Sequence, residues 1–437
     1  MDFKEYPSYK NSGVEWLGDV PEHWQQKPIW SLFKRVKRTN FPTEHLLSVY
    51  RDYGVIPKDS RDDNHNRASE DLTPYQLVCV NDLVINKMKA WQGSIAISEL
   101  KGIVSPAYYI YQPKTEYYSK YIHFLIRSAY YIQSYKNYSK GIRVNQWDLE
   151  HEAFTHIDLL LPSLEEQQKI VAFLNTETAR IDNLIAKQEK LIELLEEQRK
   201  SIISHAVTKG LNQNAPMKDS DVEWLGQVPE NWDVVKSKRL FWCKGGFAFS
   251  SDEFYEEGNY PVIRISNIQD KSISTDKIVY VNSCSKKVFK QFSAYTDDLI
   301  FCMTGASLGK VGILPKELNF ALINQRVGRL DITSCTVKQF VFYLVSSYGF
   351  QNNIRMLGVG LTDNFPNISS DQIGIIDVAL PPLSEQQDIV SYLDTENSKI
   401  DILIEKQTHL IEKLKEYRAS IISHAVTGKI DVREFSA

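Results

Sequence analysis

A block of sequence that returns almost unchanged is the strongest constraint on what this chain can fold into. The segment LPSLEEQQKIVAFLNTETARIDNLIAKQEKLIELLEEQRKSIISHAVT starts at Leu161. It comes back from Leu380 as LPPLSEQQDIVSYLDTENSKIDILIEKQTHLIEKLKEYRASIISHAVT, with about 31 of 48 aligned positions identical. A second pair is VEWLGDVPEHW from Val14 and VEWLGQVPENW from Val222. The long blocks are offset by about 219 residues and the short ones by about 208, so the stretch between them gains roughly 11 residues in the second copy. The frame is kept while its filling diverges, which describes a tandem, pseudo-twofold repeat.

Each long block reads as a helix. Pro162 and Pro381 stand at its start, where proline is tolerated, and Glu165, Glu166 and Glu385 follow in the first turn. Apolar residues then recur on a seven-residue period. The predicted pairing seam is Ile181, Leu184, Leu191, Leu195 and Ile202 in the first copy, and Ile400, Leu403, Leu410, Leu414 and Ile421 in the second. Gln188 and Gln407 occupy the same heptad position, a polar insertion that fixes register. A helix packed only on its own domain is the alternative reading, but the same seam over about six turns in both copies favours the two helices pairing. Some 40 helical residues reach roughly 60 Å, enough to act as a spacer.

The fillings, residues 22–160 and 230–379, are rich in aromatic and β-branched runs such as LVCVNDLVI, IVSPAYYIYQP and YPVIRISNI, broken by Gly, Pro, Asn and Asp. Short strands with frequent turns predict mainly-β domains carrying a few helices, among them SKYIHFLIRSAYYIQSY and VKQFVFYLVSSYGF. The expected fold class is therefore α+β, with two mainly-β domains joined by two long paired coiled-coil helices. The expected layout is an N-terminal segment 1–21, a first head 22–160, a central helix 161–212, a linker 213–229, a second head 230–379 and a C-terminal helix 380–431. Weak internal matches relate the heads: Asp82-Leu83-Val84 to Asp298-Leu299-Ile300, Gly93 to Gly309, and Gly141 to Gly360.

Polar and aromatic residues beside these glycine-bearing turns are candidate DNA contacts. They are Lys87, Lys89, Trp91, Arg143, Asn145 and Gln146 in the first head. In the second they are Arg264, Asn267, Lys310, Asn324, Gln325, Arg326 and Asn364. Arg, Lys, Asn and Gln carry the donors that match guanine and adenine edges. Any one of them taken singly reads equally well as a solvated surface residue or a turn cap.

Charge sets a limit on this reading, because the net charge is -4 whereas nucleic-acid binders usually carry a basic footprint. The first head comes out at roughly +3 and the second near +1, with the acidic excess in helices and linkers. Binding then depends on local patches, or on partners that supply further phosphate contacts. Five scattered cysteines without a C-x-x-C pair point to reduced thiols and a cytoplasmic setting, not to a disulfide framework or a zinc site. No apolar run approaches 18 residues, and the start lacks a signal-peptide pattern, so neither a membrane nor export is expected.

Catalytic motifs are missing. Asn364-Phe365-Pro366-Asn367 does not match the Asn/Asp-Pro-Pro-aromatic motif of an amino-methyltransferase. Gly305 to Lys310 is one residue short of a phosphate loop, and Val311 replaces its Ser/Thr. His151 and His156 are five apart instead of four, off a shared helix face. No catalytic residue and no metal ligand is assigned. His205 and His424 recur within SIISHAVT, which points to packing.

The P-E-x-W motif (Pro21, Glu22, Trp24; Pro229, Glu230, Trp232), the LPxLxEQQ start and the helix ending in SIISHAVT resemble the specificity subunit of Type I restriction-modification systems. The resemblance covers essentially the whole chain. It implies two target-recognition domains, each reading half of a bipartite site on double-stranded DNA, and antiparallel helices that set the unread spacer. It implies docking of two modification (methyltransferase) subunits and of restriction subunits. The chain itself takes no cofactor, with S-adenosylmethionine and ATP on the partners. Two rival classes stay open at this point: a coiled coil joining two protein-binding heads, and a self-sufficient enzyme. Sequence-selective DNA binding of the reconstituted complex separates the first, and methyl transfer by the isolated chain the second.

Overall fold

The computed structural model describes residues 4–51, 53–61, 68–141, 147–358 and 366–435. It divides into two compact units, Met1–Glu189 with Thr408–Ala437, and Lys190–Gln407.

In the first unit, strands β1 (Phe33–Val36), β2 (Leu83–Asn86), β3 (Ile95–Ile97) and β4 (Tyr108–Pro113) form an antiparallel sheet in the order β1-β4-β2-β3. Both faces of its centre are covered, which is why these strands read as continuous apolar runs instead of alternating ones. Leu83, Ile85, Ile95 and Tyr111 face the large core shared with the helices, while Val84, Ala96 and Ile110 face a smaller cluster with Leu47, Val49 and Val104. Two helices follow, Ser119–Ile126 and Ala129–Asn137, then the short helix His151–Thr155 and a strand, Asp158–Leu161, paired with Gln25–Pro28.

The second unit repeats this order with one addition. Strands β5 (Phe241–Gly245), β6 (Lys271–Ser272), β7 (Leu299–Cys302), β8 (Val311–Ile313) and β9 (Val327–Ile332) run β5-β9-β7-β8-β6, with β6 parallel to β8. Phe301 and Leu299 point into the helix-side core, and Ile300 and Cys302 into the opposite cluster. A second, four-stranded sheet carries Tyr260–Ile263 and Phe320–Ile323 as a parallel pair. Helices Lys338–Ser346, Tyr348–Leu357 and Ser370–Gly374 and the pair Asp233–Lys236 with Asp377–Leu380 complete the repeat.

The long helices are α1 (Leu164–Lys209, 46 residues) and α2 (Leu383–Val426, 44 residues). They start two residues after Pro162 and Pro381, so the prolines precede the helix instead of opening it. Their carbonyls accept from Gln167 Nε2 and Gln386 Nε2, each at 2.9 Å. Each helix contributes to both units, and they run antiparallel. In the first unit the Arg418 guanidinium forks Asp182 at 2.8 and 3.2 Å. In the second unit the copies of those residues meet, Arg199 donating to Asp401 at 2.5 Å.

The seam differs from the sequence expectation at four places. Ile181, Leu195, Ile400 and Ile421 are buried, and Gln188, Ile202, Gln407 and Leu414 are half-buried, but Leu184, Leu191, Leu403 and Leu410 are exposed. Ile185, Ile192, Ile404 and Ile411 take their places. The spacing is thus four-then-three where three-then-four was predicted. Both patterns satisfy an apolar heptad, and the sequence offers isoleucine and leucine at adjacent positions, so periodicity alone does not choose.

The repeated motifs lock the frame. Trp24 and Trp232 are fully buried, and their indole N–H groups donate to the first-turn carboxylates Glu166 (3.1 Å) and Glu385 (2.7 Å). At the other end of the helices, Lys209 Nζ donates to the carbonyls of Leu225 (2.6 Å) and Gln227, and Lys429 Nζ to those of Leu17 (2.8 Å) and Asp19 (2.5 Å). The order is Lys-Gly in one copy and Gly-Lys in the other, yet both ammoniums reach the same carbonyls of the same hairpin. Within SIISHAVT the serines make the repeated contact. Ser423 Oγ accepts the amide of Ala129 (3.0 Å) and Ser204 Oγ that of Tyr348 (3.3 Å), each the first residue of a head helix. No helix among the described residues is long and apolar enough to cross a membrane.

Candidate nucleic-acid interface

The first head's candidates lie on the connection from β2 to β3. Asn86 Oδ1 accepts the Met88 amide (3.2 Å), and a 3-10 turn at Ala90–Gln92 ends at Gly93, whose φ of 93° suits glycine. A Cβ there would sit 2.9 Å from Ile132 Cδ1, so the turn lies hard against the helix Ala129–Asn137. Lys89 projects into solvent, while Lys87 is half-buried and ion-paired with Asp148 at 3.1 Å. Trp91 donates its indole N–H to Met88 O (3.2 Å) and packs on Trp147 with ring centroids 5.1 Å apart. Lys87, Lys89 and Trp91 therefore come together. Trp147 joins them and was missed, because nothing in sequence marks a tryptophan 56 positions on as the neighbour of Trp91. Arg143, Asn145 and Gln146 lie outside the described residues.

In the second head a chain of backbone contacts gathers residues far apart in sequence. The Asn324 amide donates to Ile263 O (3.0 Å), which sets Asn324 beside Arg264. The Met303 amide donates to Arg326 O (3.1 Å) and the Cys302 amide to Lys310 O (2.8 Å), bringing both cations to the end of β7. Gln325, Arg326 and Lys310 are exposed. The Arg264 guanidinium lies 5.4 Å over the Phe254 ring, and its buried Nε–H has no hydrogen-bond partner among the described residues. Stacking on Phe254 fixes the plane of the guanidinium, as recognition of a planar acceptor pair requires.

Asn267 corrects the expectation for that residue. Only 1% exposed, it accepts the Arg264 amide at Oδ1 (3.0 Å) and donates from Nδ2 to Ser274 O (3.3 Å). It fixes the backbone under Arg264 and cannot reach a ligand, because an amide this buried is occupied by the backbone it satisfies. Asn364 lies outside the described residues. The phosphate-loop-like string forms a 3-10 turn at Gly305–Ser307 between β7 and β8, bound through the Gly305 amide to Pro366 O (2.8 Å). It is not followed by a helix, so no ring of amides opens toward a phosphate.

The two sites share a scaffold but not their surfaces. Each uses the β2–β3 or β7–β8 connection, and the residues along it differ: Lys-Met-Lys-Ala-Trp against Met-Thr-Gly-Ala-Ser. The display is polar and cationic, with donors suited to phosphates and base edges. Among the described residues no group of three or more His, Cys, Asp or Glu side chains is placed to hold a metal ion.

Comparison with known proteins finds the same tandem arrangement. The family model described as "Type I restriction modification DNA specificity domain" matches twice, over residues 21–194 and 229–413. Among curated relatives, the Type I restriction enzyme MjaVIII specificity subunit of Methanocaldococcus jannaschii is 28% identical, covering 95% of each chain. The EcoKI specificity subunit of Escherichia coli K12 is 22% identical over 94% of this chain and 90% of its own length. Of the solved structures, one concerns the complex assembly and conformational transition of the type I R-M system. It superposes with a TM-score of 0.66 at 16% identity, covering 93% of this chain and 98% of that one. The HsdS subunit from Thermoanaerobacter tengcongensis gives 0.52 at 17% identity over 94% of this chain and 98% of that chain. At these identities the superpositions show the fold.

Proposed function

The chain belongs to the Type I restriction-modification DNA specificity family, and from that premise we propose that its two heads each read one half of a bipartite DNA site. As a specificity subunit it recognises DNA, has no catalytic role of its own and works within a restriction-modification complex. The heads correspond to residues 22–160 and 230–379. Lys87, Lys89, Trp91, Arg143, Asn145 and Gln146 read one half-site, and Arg264, Lys310, Asn324, Gln325, Arg326 and Asn364 the other. The paired helices hold the half-sites at a fixed separation and dock two methyltransferase subunits, which carry S-adenosylmethionine. Restriction subunits, with ATP, complete the assembly.

The observation that carries this reading is the invariant frame around divergent displays. Trp24–Glu166 and Trp232–Glu385 are the same lock, and the strand order β1-β4-β2-β3 recurs as β5-β9-β7-β8, while most residues on the shared connection differ. Selection for one ligand seen twice would keep the displays alike. Phosphate contacts from the exposed cations position each head, and base-edge contacts specify it. The modest head charge fits an assembly in which partners add phosphate contacts.

The test is replacement of residues 22–160 by the corresponding head of another family member, followed by sequencing of methylated bases in a strain expressing the chimera with its partners. One half-site changes and the other stays. A change in both, or in neither, overturns the modular reading.

A further inference from the structure

The two copies of the frame differ where the Trp–Glu lock meets the chain that precedes it. In the first unit this place is filled. The Tyr6 hydroxyl donates to Glu166 Oε1 (2.9 Å) and its ring packs on Trp24, while the Arg433 guanidinium lies 4.9 Å over the Tyr6 ring. Phe435 meets Phe173 edge to face with centroids 4.9 Å apart, and Val432 is buried. Both ends of the chain thus cover the start of α1.

In the second unit the connection from α1 to the next hairpin is the short LNQNAP, Leu211–Pro216, and it supplies none of those groups. Asn214 stands at the repeat position of Tyr6 and is exposed. A cavity of about 710 Å³ remains, lined by Leu211, Ala215, Pro229, Glu385, Asp388 and Ile389 among others. Among the described residues Glu385 accepts from Trp232 and Asn231, where Glu166 accepts from Trp24, His23 and Tyr6. Tyr392, at the repeat position of Phe173, is 40% exposed. Asp388 replaces Lys169, so the rim is more acidic than in the filled copy.

We infer that this cavity receives a peptide segment of another protein of the assembly, presenting an aromatic residue close to an arginine. This rests on the reading of the chain as one component of a complex. The first unit supplies the template: an aromatic ring against the Trp–Glu lock, a guanidinium above it and a second ring on the helix face. The second unit offers the same apolar floor with added negative charge, which selects a basic aromatic segment. The chain's own C-terminal segment is engaged in the first unit, where Asp431 bridges Lys4 and Val432 is buried, so the occupant is a different protein. Because one copy of the site is already filled, the segment binds once per chain.

The probe is a labelled peptide with the sequence KIDVREFSA, the chain's own residues 429–437, carrying a benzophenone for photocrosslinking. It is titrated against the full chain by fluorescence anisotropy. The expected result is one peptide per chain, crosslinked to residues 211–216 or 385–392. Affinity falls roughly fivefold or more with Asp388→Lys, and likewise when the probe's phenylalanine becomes alanine. Ala215→Trp, which fills the cavity, gives the same loss by an independent route. No saturable binding up to about 1 mM, crosslinks confined to the first unit, or indifference to both variants overturns the inference. So does self-association of the chain through this surface, read by light scattering. A sequence-selective gel shift of the same preparations with the methyltransferase subunits reads the DNA function separately, so loss of either result leaves the other interpretable.

Discussion

Replacing Glu166 by leucine tests whether the Trp–Glu lock holds the frame. Its carboxylate is 5% exposed and accepts from Tyr6 (2.9 Å), Trp24 (3.1 Å) and His23 (2.9 Å). Tyr6 and Trp24 are themselves buried, so Glu166→Leu leaves two donors without an acceptor and without access to water. A buried polar group left unpaired costs about 1–3 kcal/mol, giving roughly 2–6 kcal/mol for the pair. That is a large share of a typical stability of about 5–15 kcal/mol. For a unit of this size it lowers Tm by roughly 5–20 °C. Glu385→Leu provides the internal control. There Trp232 is the single buried donor among the described residues, since Asn231 is exposed and regains water, so the loss is about 1–3 kcal/mol. Calorimetry and urea titration followed by tryptophan fluorescence read both variants. Equal losses, or a Glu166→Leu protein within about 1 kcal/mol of the parent, refute the reasoning.

Three further outcomes are expected. Burial, together with the neighbouring Arg127 guanidinium, pushes His123 down to about 4. The unfolded chain therefore takes up a proton first, and stability held above the unfolded value near 6.5 is lost as pH falls toward 4, by about 2–3 kcal/mol. His123→Gln removes that pH slope in urea titrations, and an unchanged slope counts against it. Gly428→Ala places a Cβ 2.3 Å from Pro21 Cδ at a φ of 71°, so a loss of more than about 1 kcal/mol is expected by thermal melting, and a neutral effect contradicts the close approach of the α2 end to the hairpin. Inserting one heptad into both helices lengthens them by about 10 Å, about three base pairs of DNA, and the methylated half-sites should move apart accordingly. An unchanged spacing in methylome sequencing argues against the helices as a ruler.

How much was legible in sequence follows from what is local. The repeat, the length of α1 and α2, the positions of the fillings and the weak match of Asp82 to Asp298 all rest on spacing along the chain, and spacing survives as structure when helices and strands are regular. The family follows from the same strings. The Trp–Glu lock was visible as two conserved-in-repeat motifs, but nothing in either string tells that they touch.

Tertiary structure decided the rest, for identifiable reasons. The seam passes through Ile185, Ile192, Ile404 and Ile411 instead of Leu184, Leu191, Leu403 and Leu410, because helices with apolar residues on adjacent positions have two admissible seams and the partner helix chooses. Asn267 sits inside the second head because Ser274 and the Arg264 amide, seven and three residues away, close a turn around it. Trp147 packs on Trp91, and the Asn324 amide bonds Ile263 O beside Arg264, only through contacts between segments far apart in sequence. The repeated elements of the frame are written locally, whereas the lock that joins them and the reading surfaces are assembled from long-range contacts that no spacing rule encodes.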